Sequence, residues 1–191
     1  MNNNTFTLPN WKESWEENVS KVIPARFQDS IYEHVPNNIQ KIFENMRETR
    51  KGMFIHGEVG TGKTHIAYAL LRNAPKVGVR CRLINTIELF KDMREDIRRS
   101  EYDKKYPTET AMEYKGILIL DDLGVEKATD FVVESLYLII NKRYNEMRPI
   151  IFTSNFNLNK LADRVGDRIP SRIFEMCEMV ELKGEDKRLK K

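Results

Sequence analysis

One segment of eight residues restricts the possible folds of this chain more than any other feature. Residues 57–64 read Gly-Glu-Val-Gly-Thr-Gly-Lys-Thr and fit the pattern GxxxxGK[ST] at every fixed position. A short apolar run at 53–55 precedes the segment, and the apolar spacing predicts a helix over 64–72. A strand, a glycine-rich loop and a helix in this order predict a phosphate-binding loop in an α/β domain, because backbone N–H groups and a helix N-terminus attract phosphate.

The residue types of this loop suit the chemistry of ATP. Glycines allow the backbone to wrap around a phosphate, Lys63 can reach the β- and γ-phosphates, and the hydroxyl of Thr64 can bind Mg²⁺. A glycine-rich turn without a ligand is the alternative interpretation. The other candidate nucleotide contacts in and beside the loop are Glu58, Val59, Gly60, Thr61, Gly62 and His65.

Short apolar segments alternate with amphipathic ones along the rest of the chain. This alternation predicts a three-layer α/β sandwich with a mainly parallel, five-stranded sheet, the architecture of P-loop NTPases. The stretch 100–115 is polar and charged, and we expect it to be an irregular surface excursion. The predicted strands are 53–55, 79–84, 117–120, 150–152 and 179–182, and the predicted helices are 39–50, 64–72, 87–99, 130–147, 158–165 and 171–176.

The length of 191 residues predicts one domain with a short arm. We expect residues 1–22 to form an N-terminal arm and residues 23–191 to form the ATPase core. Trp11 and Trp15 stand one helical turn apart in the arm. Two tryptophans on one helical face need a partner surface, which is either the chain's own domain or another protein.

Two adjacent carboxylates follow the apolar run 117–120. Ligands of parallel α/β sheets collect at the carboxyl ends of the strands, so both side chains are expected near the phosphate loop. We predict that Asp121 binds Mg²⁺ and that Asp122 orients or deprotonates the attacking water. A pair of helix-capping aspartates is the alternative. The strand 79–84 lies between the loop strand and the Asp121 strand in sequence, and a strand inserted between those two in space is typical of ATPases with an acidic base.

Composition and charge exclude several other classes of protein. With 32 Lys and Arg against 29 Asp and Glu, the net charge of +3 is too small to establish a nucleic-acid partner by itself. Two distant cysteines and three histidines without zinc-finger spacing argue against a disulfide framework or a structural metal. The chain opens without the basic and apolar regions of a signal peptide and contains no membrane-spanning apolar run, so we expect a cytoplasmic protein with no membrane partner.

Five segments in a fixed order make the chain resemble a known group of proteins. Residues 60–67 resemble GTGKTHLA, residues 119–124 resemble LIDDLG, and residues 151–156 resemble a sensor-1 strand of the type FTSN. Residues 167–173 resemble a segment that carries an arginine finger, and residues 23–27 resemble an IPxRF entry to the core. Together they are similar to the AAA+ ATPases of the DnaC/DnaI helicase-loader and IstB transposition group. The resemblance implies an AAA+ core, here without a full helical lid.

The resemblance also implies roles for residues outside the phosphate loop. Asn155 would hold the attacking water or the γ-phosphate. Arg172, with Arg168 as the second candidate, would be an arginine finger that completes the site of a neighbouring subunit, which requires assembly into a ring or spiral. Arg188 would be the remnant of a second nucleotide-sensing arginine, unless the basic tail is simply solvated. Asp122 stands where other AAA+ ATPases have glutamate, so we expect slow or partner-dependent turnover.

A basic stripe on the helix predicted over 87–99 is the candidate DNA interface. Lys91, Arg94 and Arg98 recur at helical spacing, and Arg99 follows them. Acidic residues alternate with these cations, so the residues alone favour a solvated helix face. The resemblance, in contrast, implies that this region binds single-stranded DNA.

The leading functional prediction is an ATP-hydrolysing accessory protein of DNA replication, a helicase loader that assembles on single-stranded DNA beside a replicative helicase. The segment before Ile23 has no room for a loader's separate helicase-binding domain, so the tryptophan-containing arm would have to replace it. Two alternatives remain open: an IstB-like transposition ATPase that acts on duplex DNA, and a nucleotide-gated adaptor with little turnover. A small-molecule P-loop kinase would leave residues 153–155 unexplained.

Overall fold

The computed structural model describes residues 11–103, 105–125 and 128–189, without the side chains of 11–14, 16 and 17. Its strands are β1 (Gly52–Gly57), β2 (Cys81–Asn85), β3 (Ile117–Asp121), β4 (Ile150–Ser154) and β5 (Cys177–Leu182). Its α-helices are α1 (Trp11–Val22), α2 (Asn37–Thr49), α3 (Lys63–Asn73), α4 (Thr86–Ile97), α5 (Pro107–Glu113), α6 (Asp130–Asn145), α7 (Leu158–Val165) and α8 (Arg168–Met176). Among these described helices, none has the length and apolar character needed to cross a membrane.

The five strands form one parallel sheet in the order β2-β3-β4-β1-β5, which confirms the predicted α/β fold. Both β3 and β4 are buried at every residue because helices cover the two faces of the sheet. Alternate strand residues point to opposite faces. Phe54 and Phe152 therefore belong to a core shared with α4 to α8, whereas Ile55 and Ile151 belong to a core shared with α1 to α3.

The strand inserted beside the phosphate loop is β4. It pairs with β1 on one side and with β3 on the other, so it separates the loop strand from the Asp121 strand. The strand that lies between them in sequence, β2, is instead at the edge of the sheet and pairs with β3. Sequence order does not give spatial order here, because the chain passes from β1 to β2 at the far edge of the sheet, and β3 and β4 then occupy the positions between these two strands. The end of β4 consequently lies between the phosphate loop and Asp121.

The stretch 100–115 is more regular than predicted. It contains a 3-10 helix at Glu101–Asp103 and the helix α5, which has a proline in its first turn. Ala111 of α5 is fully buried in the core that α4 and α6 share. The prediction of an irregular excursion was wrong because one buried alanine gives a polar segment almost no hydrophobic periodicity.

The helix α1 packs against α3 of the same chain. Trp15 donates a hydrogen bond from Nε1 to the carbonyl oxygen of Leu71 at 3.3 Å. Val19 is buried in the core on the same side of the sheet. The structure thus gives Trp15 a partner within its own domain, while the side chain of Trp11 lies outside the described residues.

A fully buried arginine ties together the starts of the two central strands. The guanidinium of Arg143, on α6, donates to the carbonyl oxygens of Tyr114 at 2.8 Å, Gly116 at 2.6 Å and Pro149 at 2.8 Å. Burial lowers the pKa of Arg143 to about 10. Three carbonyl partners offset part of the loss of water around the cation, while the buried Nε has no hydrogen-bond partner among the described residues. The contacts hold the beginnings of β3 and β4 side by side, and the opposite ends of these strands carry the candidate site.

Candidate functional site

The phosphate loop joins β1 to α3 through two glycines in the left-handed region. Gly60 has φ of 80° and Gly62 has φ of 99°, which residues with a Cβ atom rarely adopt. Nζ of Lys63 donates to the carbonyl oxygens of Gly57 at 2.8 Å and Glu58 at 2.7 Å. Burial lowers the pKa of Lys63, and the nearby carboxylate of Asp122 opposes that effect. The loop therefore holds the ammonium group of Lys63 at the N-terminus of α3, where a phosphate would be bound.

The carboxylate of Asp121 is buried at the end of β3. Its Oδ1 accepts a hydrogen bond from the hydroxyl of Thr153 at 2.6 Å. The hydroxyl of Thr64 lies 3.3 Å from both carboxylate oxygens. Burial raises the pKa of Asp121 to about 6, and the charge of Asp122 adds to the increase. Ionised Asp121 is thus costly to bury without a neutralising charge beside it.

A magnesium ion fits the groups that surround Asp121. A hydroxyl and a carboxylate are hard oxygen ligands, which Mg²⁺ prefers, and the ion is commonly held by one or two protein groups plus phosphates and water. Among the described residues there is no cluster of three or more His, Cys, Asp or Glu side chains that could hold a metal ion alone. Thr64 and Asp121 therefore suit an ion that arrives with nucleotide phosphates.

Backbone contacts on both sides fix the conformation of Asp122. Its φ of 61° is in the left-handed region, which Asp tolerates better than most residues. Its N–H donates to the hydroxyl oxygen of Thr153 at 2.9 Å, and its carbonyl accepts from the hydroxyl of Thr86 at 3.0 Å. The half-buried carboxylate faces the same cavity as Lys63, Asp121 and Asn155.

The cavity that these residues line has a volume of about 1440 Å³. Asn155 reaches it directly after β4, at the point where the inserted strand separates β1 from β3. His65 forms part of the wall, with Nδ1 3.1 Å from the hydroxyl of Ser30 and its ring edge-on to Phe27. Of the loop residues predicted to contact nucleotide, Val59, Gly60, Thr61 and Gly62 also line the cavity, whereas Glu58 lines a shallower depression beside it.

The C-terminal segment returns to the phosphate loop. The N–H of Lys187 donates to the carbonyl of Gly60 at 3.1 Å, and Arg188 lines the cavity close enough to Lys63 to lower the pKa of that lysine. The carboxylate of Asp186 packs so closely on Gly60 that a Cβ there would lie 1.8 Å from Oδ1. The structure therefore brings Arg188 to the site. The structure also brings Lys187 to the site, although sequence analysis identified this residue only as part of a basic tail.

The two candidate finger arginines lie on α8, outside the cavity of their own chain. Arg172 donates from Nε to Asn141 Oδ1 at 2.9 Å, from Nη2 to the hydroxyl of Tyr137 at 3.0 Å and from Nη1 to the carbonyl of Arg168 at 3.2 Å. Its guanidinium also lies over the ring of Tyr137, 4.7 Å from the centroid. The arginine is thus held in one position on the surface of α6 and α8.

The basic residues of α4 divide into two groups. Lys91, Arg94 and Arg98 are exposed on the helix and its C-cap. The side chain of Arg99 is only 24% exposed and lies 3.5 Å from Glu95 and 3.2 Å from Asp96. Lys91 also approaches Glu95, at 3.9 Å. Arg99 therefore serves the local structure of this segment, and the exposed stripe consists of the other three residues.

Sequence analysis assigned no role to two residues of the site, Thr153, which lies within the segment 151–156, and Thr86, which lies in none of the matched segments. Thr153 contacts both Asp121 and the peptide of Asp122. Thr86 of α4 donates to the carbonyl oxygen of Asp122, which belongs to the following peptide group. Threonine at the end of a strand or the start of a helix is common, so only the spatial order of the strands reveals these contacts.

Comparison with known proteins places the chain in a family. A model of the IstB-like ATP binding proteins matches residues 32–191. The chain is 21% identical over 178 residues to the replicative helicase loader DnaI of Bacillus subtilis, across 86% of this chain and 55% of that protein. It is 28% identical over 153 residues to a putative ATP-binding protein of insertion sequence IS5376 from Geobacillus stearothermophilus, across 75% of this chain and 57% of that protein.

The crystal structure of the DnaC helicase loader has the same fold. It superposes with a TM-score of 0.71 at 28% sequence identity, across 84% of this chain and 100% of that chain. This chain spans between about a quarter and about half the length of the curated relatives it matches. The predicted resemblance is confirmed, and the chain belongs to the family of IstB-like ATP-binding proteins, with DnaC and DnaI helicase loaders among its structural neighbours.

Proposed function

We propose that this protein binds Mg·ATP, hydrolyses it slowly, and uses the nucleotide to assemble on single-stranded DNA as a helicase loader of DNA replication. The observation that carries the proposal is the convergence of five side chains on one cavity: Lys63, Thr64, Asp121, Asp122 and Asn155. In P-loop NTPases a lysine binds the phosphates, a hydroxyl and a carboxylate hold Mg²⁺, and a neutral amide can orient the attacking water.

Each of these groups has a defined task in the proposed reaction. Lys63 binds the β- and γ-phosphates, while Thr64 and Asp121 hold Mg²⁺, which when bound neutralises charge on the phosphate oxygens. Asn155 holds the attacking water near the γ-phosphate without adding charge. The water oxygen bonds to the γ-phosphorus as the bond to the β–γ bridging oxygen breaks, and Asp122 accepts the proton of the water. The products are ADP and inorganic phosphate.

The position of Arg172 supports a site that two subunits share. In its own chain Arg172 is held by α6 and α8, outside the cavity that contains Lys63. An arginine at the γ-phosphate is worth about 10³- to 10⁵-fold in rate in related systems. We therefore propose that Arg172, with Arg168 as the second candidate, acts on the nucleotide of a neighbouring copy. Such a head-to-tail contact generates a ring or a spiral.

The exposed stripe of α4 supports binding to single-stranded DNA. Lys91, Arg94 and Arg98 provide cations for phosphates, and assembly would place the stripes of successive subunits along one path. The similarity to the replicative helicase loader DnaI makes a replicative helicase the proposed protein partner.

The test measures phosphate release from Mg·ATP at several protein concentrations, with and without a single-stranded oligonucleotide. We expect activity per subunit to rise with concentration, to respond to the oligonucleotide, and to disappear in Arg172→Ala. Arg47→Ala is the matched control, because Arg47 is an exposed arginine on α2 at the opposite face of the sheet. Activity that is constant per subunit and indifferent to both DNA and Arg172 would refute the proposal.

The similarity to the IS5376 ATP-binding protein favours a second candidate, an IstB-like transposition ATPase on duplex DNA. The same assay with a duplex of identical sequence separates the two functions. A response to duplex and none to the single strand selects the transposition role. Nucleotide binding without measurable phosphate release, unchanged in Asp122→Asn, selects instead a nucleotide-gated adaptor.

A further inference from the structure

Two hydroxyl groups at the end of β4 point into the turn that follows β3. Thr153 and Ser154 are both fully buried. The hydroxyl of Thr153 donates to Oδ1 of Asp121 at 2.6 Å and accepts the N–H of Asp122 at 2.9 Å. The hydroxyl of Ser154 donates to the carbonyl of Leu123 at 2.6 Å and accepts the N–H of Phe156 at 3.1 Å. Only Thr153 therefore touches a carboxylate.

We infer that Thr153 is a positioning residue that sets the orientation of both carboxylates in the site. A hydroxyl has one proton, and Thr153 commits that proton to Oδ1 of Asp121. A short hydrogen bond to a charged group is stronger and more directional than one between neutral groups. The Asp121 side chain is thereby held with its remaining lone pairs available toward the hydroxyl of Thr64, 3.3 Å away.

The same oxygen of Thr153 also fixes the backbone that carries Asp122. By accepting the N–H of Asp122, it orients the peptide between the two aspartates. The carbonyl of Thr153 accepts the N–H of Leu123 at 2.8 Å, so the residue binds this turn at two points. Asp122 has a left-handed φ of 61°, a conformation that is unfavourable for an L-residue unless its neighbours enforce it. One side chain on the inserted strand therefore couples the metal ligand to the proposed base.

This inference rests on the proposed function, because it takes Asp121 as the carboxylate that holds Mg²⁺. Groups that hydrogen-bond to a metal ligand orient it, and their loss commonly costs about 10- to 100-fold in metal affinity. Removing the hydroxyl of Thr153 should therefore weaken the binding of Mg²⁺ while leaving the contacts of Lys63 with the nucleotide intact.

The experiment uses three variants of the full chain and no turnover measurement. Thr153→Val removes the hydroxyl and keeps the branched shape, Thr153→Ser keeps the hydroxyl, and Ser154→Ala removes the neighbouring buried hydroxyl. Affinity for a fluorescent ATP analogue is measured first in EDTA, and the Mg²⁺ concentration for half-maximal enhancement of binding is measured next. Urea unfolding of each variant reports its stability.

We expect Thr153→Val to bind the analogue in EDTA within about twofold of wild type and to need at least about tenfold more Mg²⁺. Thr153→Ser should need close to the wild-type concentration. Ser154→Ala should lose stability without a change in the Mg²⁺ requirement, because its partners are backbone groups of Leu123 and Phe156. If Thr153→Val does not fold, Thr153→Ala removes the same hydroxyl without placing a methyl group against the carboxylate.

The outcomes separate this inference from the proposed function. A wild-type protein whose nucleotide binding is indifferent to Mg²⁺ would refute the proposed function and this inference with it. Wild-type binding that depends on Mg²⁺, together with an unchanged requirement in Thr153→Val, would refute the inference alone. An equal increase in Ser154→Ala would show that loosening of the strand end, and not the contact with Asp121, causes the effect.

Discussion

Replacing Asp121 by Asn should stabilise the nucleotide-free protein at neutral pH while abolishing its response to Mg²⁺. Burial is the main reason that the pKa of Asp121 is raised from 3.8 to about 6. The folded protein therefore holds the proton of this carboxyl more tightly than the unfolded chain does. Asn has the same shape and no charge, and it can still accept from Thr153 and donate to Thr64.

The size of the effect follows from the two pKa values. At about 1.4 kcal/mol for each pKa unit, ionising Asp121 in the folded state costs about 3 kcal/mol at neutral pH. Between the two pKa values the folded state binds more protons than the unfolded state, so the contribution to stability falls as the pH rises. From about pH 5 to about pH 7.5 the wild type should lose about 1.4 kcal/mol through this group. Asp121→Asn should not show this loss.

Urea unfolding of both proteins across this pH range, without nucleotide, measures the difference directly. The free energy of unfolding of Asp121→Asn minus that of wild type should increase by about 1.4 kcal/mol between the ends of the range. Asp163→Asn, which removes an exposed carboxyl group on α7, is the matched control for the substitution. Parallel pH profiles for wild type and Asp121→Asn would refute the reasoning, because burial would then impose no cost on the charge.

Three other perturbations test separate parts of the structure. Arg143→Met leaves three carbonyl oxygens without their donor, at a cost of about 1–3 kcal/mol each. The free energy of unfolding, measured in urea, should therefore fall by at least about 3 kcal/mol. A decrease below about 1 kcal/mol would contradict this account of Arg143. Asp122→Asn should keep Mg·ATP affinity within about twofold and slow single-turnover phosphate release by at least about 100-fold, and unchanged release would remove Asp122 as the base. Arg94→Ala should weaken binding to single-stranded DNA and reduce its salt dependence, measured by fluorescence anisotropy at several salt concentrations. Arg99 is paired with Glu95 and Asp96, so Arg99→Ala should leave the salt dependence unchanged. An equal effect of both variants would contradict the separation of Arg99 from the exposed stripe.

The phosphate loop, the strand that ends in Asp121 and the parallel sheet were predictable because their signals are local. Gly60 and Gly62 allow a backbone that other residues resist, and Lys63 follows them at a fixed spacing. The fully apolar strands indicate burial on both faces without any knowledge of their neighbours. Helix bounds differ by only a few residues, since caps and prolines act over a single turn.

The tertiary structure determines which residues that are distant in sequence come into contact. The chain contains a threonine at 153 and an arginine at 143 whatever its fold, but their roles depend on β4 pairing between β1 and β3 and on α6 crossing the ends of two strands. The return of Lys187 and Arg188 to the phosphate loop depends equally on β5 pairing with β1. Backbone conformation and hydrophobic patterning are properties of neighbouring residues, so the loop, the strands and the parallel sheet were predictable from the sequence alone. Contacts between residues 30 or more positions apart follow from the order of the strands, and only the packing of the whole chain sets that order.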